Sequence, residues 1–295
     1  MLVASDDLQF DIVDVFSGHP FSGNQLAVVH GAAGMDDGQL LAVAREFNFS
    51  ETTFPTVRDV AAYEVRIFTP AGEIPFAGHP TLGTAWVLAE RGELGEAEVV
   101  QHCGAGEVQV SLADDGAELT ATPRDLAGPL GPRVVDALLE DLGLRAQDRD
   151  GDAWVAGAGL DFVHLPVTDD AVTRARTASR PLSSYDGLPE TVDPLEGVNL
   201  VSVEGGAVHA RVFVPGLSVP EDPATGSAAA GLGMMLAAAG RLPADGRYVI
   251  SQGLEMGRAS RLECHVDTDG GRAVACRVAG RVHRVARGSL RKPPA

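Results

Sequence analysis

One stretch of this chain is written twice, and that repetition limits the folds open to it. The first copy runs from Arg66 to Gly92. Arg66-Ile67-Phe68-Thr69-Pro70 is a β-branched and aromatic run stopped by proline, which predicts a strand. Phe76-Ala77-Gly78-His79-Pro80-Thr81 then turns the chain, and Ala85, Leu88 and Ala89 repeat at helical spacing. Pro80 falls in the first helical turn, where its missing N–H would have had no partner. The second copy opens on Arg211-Val212-Phe213-Val214-Pro215, with Thr225-Gly226-Ser227 in the place of Ala77-Gly78-His79. Gly78, Gly83, Leu88, Ala89, Gly92 and Leu94 match Gly226, Gly231, Leu236, Ala237, Gly240 and Leu242 at one constant offset. An Ala/Gly-rich chain can repeat itself by accident, but here the strand before each turn matches too. The pattern reads as a duplication. Each copy would aim the free N–H groups of a helix start at one place, an arrangement suited to anions.

A duplicated strand–turn–helix unit implies an α+β fold of two pseudo-symmetric halves. Each is expected to be a mostly antiparallel sheet rolled around a central apolar helix, with an active-site cleft between them. Alternation predicts a strand over Phe10–Phe16, and Leu26–Val29 reads as a second. Asp36 or Asp37 should cap a helix reaching Phe47 and ended by Asn48. Val99–Leu112 and Glu118–Thr122 read as a hairpin turning at Asp115-Gly116. The Pro/Gly-rich segment 123–132 is the expected linker between a first half, 1–122, and a second, 133–280. Val134–Leu142 reads as a helix stopped at Gly143, and Thr168-Asp169-Asp170 as the cap of another. Strands are expected at Phe162–Val167, Val198–Val203, Val208–Val214, Tyr248–Ser251, Arg261–Val266 and Ala273–Val278.

Charge and composition exclude several function classes. The net charge is −18, from 41 acidic and 23 basic residues, which argues against nucleic acid and anionic membrane surfaces as partners. Lys292 is the single lysine, so Schiff-base chemistry is not expected. Cys103, Cys264 and Cys276 form no C-x-x-C pair, and the odd count suits a reducing cytosol. Cys103 and Cys264 are read as core thiols. The N-terminus has no basic leader and no apolar run of spanning length occurs, so the expectation is a cytoplasmic protein.

The residues that could do chemistry gather around the two turns. Singly, each has a plain explanation. Glu51 could be a solvated strand residue, His79 a capping histidine, Asp222 a complement to a helix dipole and Ser227 a first-turn serine. Together they suit proton transfer at carbon: a carboxylate takes a proton from one carbon and returns it elsewhere, while backbone N–H groups hold a carboxylate or enolate. Phosphate-loop, dinucleotide, zinc-protease and serine-hydrolase signatures are absent, and the histidines show no ligand spacing. No metal or cofactor is expected.

Several ordered motifs together carry a family resemblance. They are Asp14-Val15-Phe16 through Gly23-Asn24, Ser50-Glu51-Thr52-Thr53-Phe54, Phe68-Thr69-Pro70 with Phe76-Ala77-Gly78-His79-Pro80-Thr81, Glu221-Asp222-Pro223-Ala224-Thr225-Gly226-Ser227, and Gln252-Gly253 with Met256-Gly257-Arg258. They resemble the phenazine-biosynthesis PhzF-like family, which has the diaminopimelate epimerase fold. The resemblance implies that Glu51 is the main acid/base, that His79, Asp222 and Ser227 complete the site, and that Ser50, Gly78, Thr225 and Gly226 bind substrate. It also implies a homodimer and a last strand, about 281–295, returning to the first half. The related amino-acid epimerases carry a cysteine at each helix start; this chain has Ala77 and Thr225 there, so cysteine-based racemisation is not expected. Gln25, Gly72 and Ala259 depart from the usual pattern without touching these residues.

The expected function is therefore a cofactor-independent isomerase of a small carboxylate-bearing, anionic metabolite. The alternatives are a non-catalytic small-molecule-binding protein on the same fold, or an epimerase of an amino-acid derivative. Phenazine biosynthesis itself is not selected by any residue.

Overall fold

A computed structural model of the chain describes residues 7–124, 126–191, 195–215 and 220–294. The N-terminal segment read for a leader, and part of the 123–132 segment, lie outside the described residues. The chain forms two compact units, 1–119 with 280–295, and 120–279.

The first unit holds β1 (Asp7–Val15), β2 (Asn24–His30), α1 (Asp37–Phe47), β3 (Glu51–Asp59), β4 (Ala62–Thr69), β5 (Gly72–Ile74), α2 (Gly78–Glu90), β6 (Glu98–Cys103), β7 (Gly106–Ala113) and β8 (Gly116–Ala121), whose last residues pass into the second unit. The second holds β9 (Leu126–Ala127), α3 (Pro132–Asp141), β10 (Trp154–Gly157), β11 (Asp161–Pro166), α4 (Asp169–Arg174), β12 (Gly197–Glu204), β13 (Ala207–Phe213), β14 (Glu221–Asp222), α5 (Gly226–Ala238), β15 (Arg247–Gln252) and β16 (Ser260–Asp269). The long strand β17 (Arg272–Arg291) contributes to both.

In the first unit the pairings run β1–β2–β3–β4–β6–β7–β8–β17 and return to β1, so the sheet closes into a barrel-like ring. The β2–β3 and β4–β6 pairs are parallel, which makes the sheet mixed. Helix α2 is buried from Gly78 to Leu88, as a helix apolar on every side must be. At Gly83 a Cβ would lie 2.6 Å from Leu26 and 2.8 Å from Val15, so the helix reaches the sheet only because no side chain stands there. Alternation along β3 splits its neighbours: Thr53 meets Thr84 of α2 at 2.8 Å, while Phe54 packs with Leu40, Val43 and Ala44 of α1. Helix α1 begins where its capping box dictates. Asp36 accepts from the Gln39 N–H, Gln39 returns the bond, and Asn48 ends the helix in the left-handed region at φ 53.

One buried acid fastens the last strand to this unit. Asp11 of β1 meets His30 at 3.1 Å, Arg91 at 3.2 Å, and Arg284 and Arg287 of β17 at 3.1 and 2.9 Å. Burial alone would raise its pKa, but His30 and Arg287 hold it well below the ordinary carboxylate range.

In the second unit β9, β10, β11, β12, β13, β15, β16 and β17 pair in succession, with β11–β12 and β13–β15 parallel. Helix α5 is buried from Gly226 to Leu236. At Gly231 a Cβ would meet Ala156 O and His164 Nε2 at 2.8 Å. The opposite face of the sheet takes Val135, Leu138 and Leu139 of α3 and Val172 of α4 against Val155, Val163 and Val198.

Three local expectations are corrected. The segment Val99–Leu112 is two strands, because Gly104-Ala105 turns between β6 and β7. Cys103 therefore sits at a strand end and is only half-buried, unlike Cys264 and Cys276, whose burial pushes both thiol pKa values upward. Thr168 occupies the N-cap of α4 but makes no side-chain cap bond. β10 was not foreseen: its four residues are too short to show a period.

Candidate active site

In the first unit, β3 and the start of α2 bring Glu51 and His79 together. Glu51 is the first residue of β3, paired beside Leu26, and is half-buried. His79 is the second residue of α2 and is 4% exposed. Glu51 Oε2 lies 3.4 Å from His79 Nε2. That exceeds a good hydrogen bond.

The pair is not an ion pair. Burial pushes the His79 pKa down to about 3, against a weaker opposing backbone hydrogen bond with Gln25, so the ring is neutral near pH 7. Its other nitrogen, Nδ1, lies 3.2 Å from Asn24 Nδ2. Asn24 in turn accepts from Ser50 Oγ through Oδ1 at 3.4 Å. The direction of the Nδ1–Asn24 bond depends on the ring's tautomer, and the Gln25 backbone carbonyl also accepts from the ring. Ser50 thus joins the group through Asn24. Gly78 opens α2 and is buried, and the N-cap Ala77 offers its helix no side-chain cap.

In the second unit the groups are arranged differently. Asp222 lies on the short strand β14, paired with Val212, and its Oδ2 accepts from Thr225 Oγ1 at 2.5 Å. Thr225 is the N-cap of α5, but its hydroxyl proton goes to Asp222 and none of its side-chain atoms caps the helix. Gly226 and Ser227 follow as the first two residues of α5, Ser227 at 6% exposure.

Two neighbours were not singled out from sequence, although both fall inside the quoted motifs. Asn24 links His79 to Ser50, and Gln252 holds the turn before α5. Their only sequence signal is a carboxamide at a strand end, which is common on surfaces; here Asn24 is 1% and Gln252 2% exposed. Among the described residues no group of three or more His, Cys, Asp or Glu side chains could hold a metal ion, and no helix is long and apolar enough to cross a membrane.

Comparison with known proteins bears on this geometry. The family described as phenazine biosynthesis-like protein, PhzC–PhzF, matches residues 13–288. An uncharacterized isomerase of Mesorhizobium japonicum is 36% identical, covering 95% of this chain and 97% of its own. A trans-2,3-dihydro-3-hydroxyanthranilate isomerase of Pseudomonas chlororaphis is 31% identical, covering 95% and 98%. The solved structure of a predicted epimerase from Pseudomonas aeruginosa superposes with a TM-score of 0.81 at 33% identity, covering 96% of this chain and 98% of that one.

Proposed function

Because the chain belongs to the PhzF-like family of phenazine biosynthesis-like proteins, we propose that it is an isomerase that moves a proton between carbons of a small carboxylate-bearing metabolite. The observation that carries this reading is the Glu51–His79 contact at 3.4 Å beside a ring kept neutral by burial.

Glu51 takes a proton from a C–H bond, the electron pair of that bond moves into the adjacent carbon framework, and the double bond shifts. The same carboxyl group then delivers its proton to a second carbon. Atoms and electrons balance without an external acceptor, and in this reading no cofactor takes part. Neutral His79 faces the carboxylate through Nε2 and can follow it as its charge comes and goes. The Gly78 N–H, at the start of α2, holds an anionic oxygen of the substrate in this reading. Glu51, His79 and Ser50 form the set assigned to the proton transfer, and Asp222, Thr225, Gly226 and Ser227 are proposed as a second set at the start of α5. The reading includes a repeated architecture in the two units, supported by the matched sequence runs and by two buried helices of equal length, Gly78–Glu90 and Gly226–Ala238.

The test is a panel of small carboxylates in D2O, beginning with trans-2,3-dihydro-3-hydroxyanthranilate, the compound in the relative's name. Deuterium should enter a product carbon with wild-type protein and not with Glu51→Gln. Exchange that survives Glu51→Gln would reject the role of Glu51. Binding without exchange across the panel would favour a non-catalytic binding protein. Epimerisation is the second reading, favoured by the 33% identical predicted epimerase; inversion of a stereocentre in the same panel would select it.

A further inference from the structure

The turn into α5 is held by a side chain that the proposed chemistry does not use. Gln252 ends β15 and is buried. Its Nε2 donates to the Asp222 carbonyl at 2.7 Å and to Thr225 Oγ1 at 3.1 Å, and its Oε1 accepts from the Thr225 N–H at 3.3 Å. Thr225 Oγ1 then donates to Asp222 Oδ2 at 2.5 Å. A hydroxyl has one proton. Gln252 fills the acceptor side of the Thr225 oxygen with an N–H, so that proton is directed to the carboxylate. Bonds linked in this way polarise one another.

The backbone supports the same arrangement. Gly253 follows in the left-handed region at φ 71, and a Cβ there would stand 2.6 Å from Arg258 O and 2.7 Å from Pro223 O. The end of β15 can press on the 222–225 turn only as glycine.

We infer that Gln252 is a positioning residue that acts through Thr225 to aim the Asp222 carboxylate at the start of α5. Its importance for turnover rests on the proposed function, but the hydrogen-bond chain can be read without substrate.

Gln252→Glu keeps the side-chain shape and the acceptor for the Thr225 N–H. It replaces the double donor by a carboxylate oxygen, which competes with Asp222 for the Thr225 proton. Isotope-edited infrared spectra of protein labelled with 13C at aspartate carboxylates isolate the Asp222 band by subtraction of Asp222→Asn. Thr225→Val should shift that band. Gln252→Glu should shift it in the same direction although it does not touch the carboxylate, and Thr225→Ser should leave it in place. An Asp222 band unmoved by Gln252→Glu, or moved as far by Thr225→Ser as by Thr225→Val, overturns the inference. If Gln252→Glu does not fold, Gln252→Met removes both donors without adding charge and reads the same shift. With a compound that the wild type turns over, kcat should fall on the order of 100-fold in Gln252→Glu with KM nearly unchanged. Loss of affinity with kcat intact also overturns it. Failure of the proposed reaction itself would show separately, as deuterium exchange insensitive to Glu51→Gln.

Discussion

The starts of α2 and α5 share a local script and use it differently. At α2 the ionisable pair is assembled from distant parts of the sequence: Glu51 arrives on β3, and the ring it meets at 3.4 Å is the helix's own second residue. At α5 the carboxylate comes from the turn just before the helix and is tied to the N-cap threonine at 2.5 Å. Glu51 meets a neutral ring through a long contact, and Asp222 is drawn into a short chain of donors. The difference teaches that a helix start fixes where charge is welcome, while neighbouring strands decide which groups the charge placed there will meet.

The flanking arginines diverge in the same way. Arg66 binds Glu73 and Asp37 with its side chain 39% exposed. Arg211 pairs both nitrogens with Glu221 at 2.8 Å, donates to the Ala175 carbonyl at 2.7 Å, and is 8% exposed. Each guanidinium also lies over a phenylalanine two residues on, 5.1 Å above Phe68 and 4.8 Å above Phe213.

The largest effect should come from exchanging the two carboxylates' roles on paper for real variants. Glu51→Gln should lower turnover by roughly 10²–10⁴-fold, and Asp222→Asn by less, measured as deuterium incorporation. Equal losses would erase the contrast between a working group and a held one. Next is stability. Arg211→Ala removes the two-pronged partner of half-buried Glu221 and should cost about 3–5 kcal/mol in urea denaturation, against at most about 1 kcal/mol for Arg66→Ala. Similar costs would mean that burial does not separate the two.

The third test is pH. His79 and His164 are held neutral by burial, with pKa values down to about 3 and about 4, below the ordinary 6.5. The unfolded chain therefore binds more protons than the folded one at pH values below about 6.5 and above these folded values. Stability should be full above that window and fall as pH drops through it, approaching ~1.4 kcal/mol per pH unit for each histidine. Removing either ring, as in His79→Asn or His164→Asn, should reduce the slope in a denaturant series from pH 7 to pH 4. The smallest contrast concerns the paired glycines. Gly231→Ala meets a carbonyl oxygen and should cost about 1–3 kcal/mol, whereas Gly83→Ala meets methyl groups that can shift and should cost less. Thermal melting of the two variants checks the order.

What the sequence made legible was local. Asp36, Gln39 and Asn48 mark both ends of α1 because capping is a short-range contact. The two buried helices announced themselves by being apolar on every side. Glu51 and His79 could be nominated from their motifs, but their 3.4 Å separation depends on the parallel pairing of β2 with β3 and on the packing of α2, which no spacing encodes. Asn24 and Gln252 stayed hidden for the same reason: a carboxamide acquires meaning only from the groups folded around it. The turn at Gly104-Ala105 does carry a local signal, Gly104 and Gly106, which the reading of one long strand passes over.

One feature of β17 bears on how the molecule is made. Its residues 282–291 pair with β1 and complete the ring of the first unit, with Arg284 and Arg287 reaching Asp11. Those residues leave the ribosome only after the entire second unit has been synthesised. During translation β1 must wait with one edge open and Asp11 short of two of its arginines, while the later-made unit is free to condense first. The ring of the first unit can therefore close only late in synthesis, and until then the β1 edge is open to association.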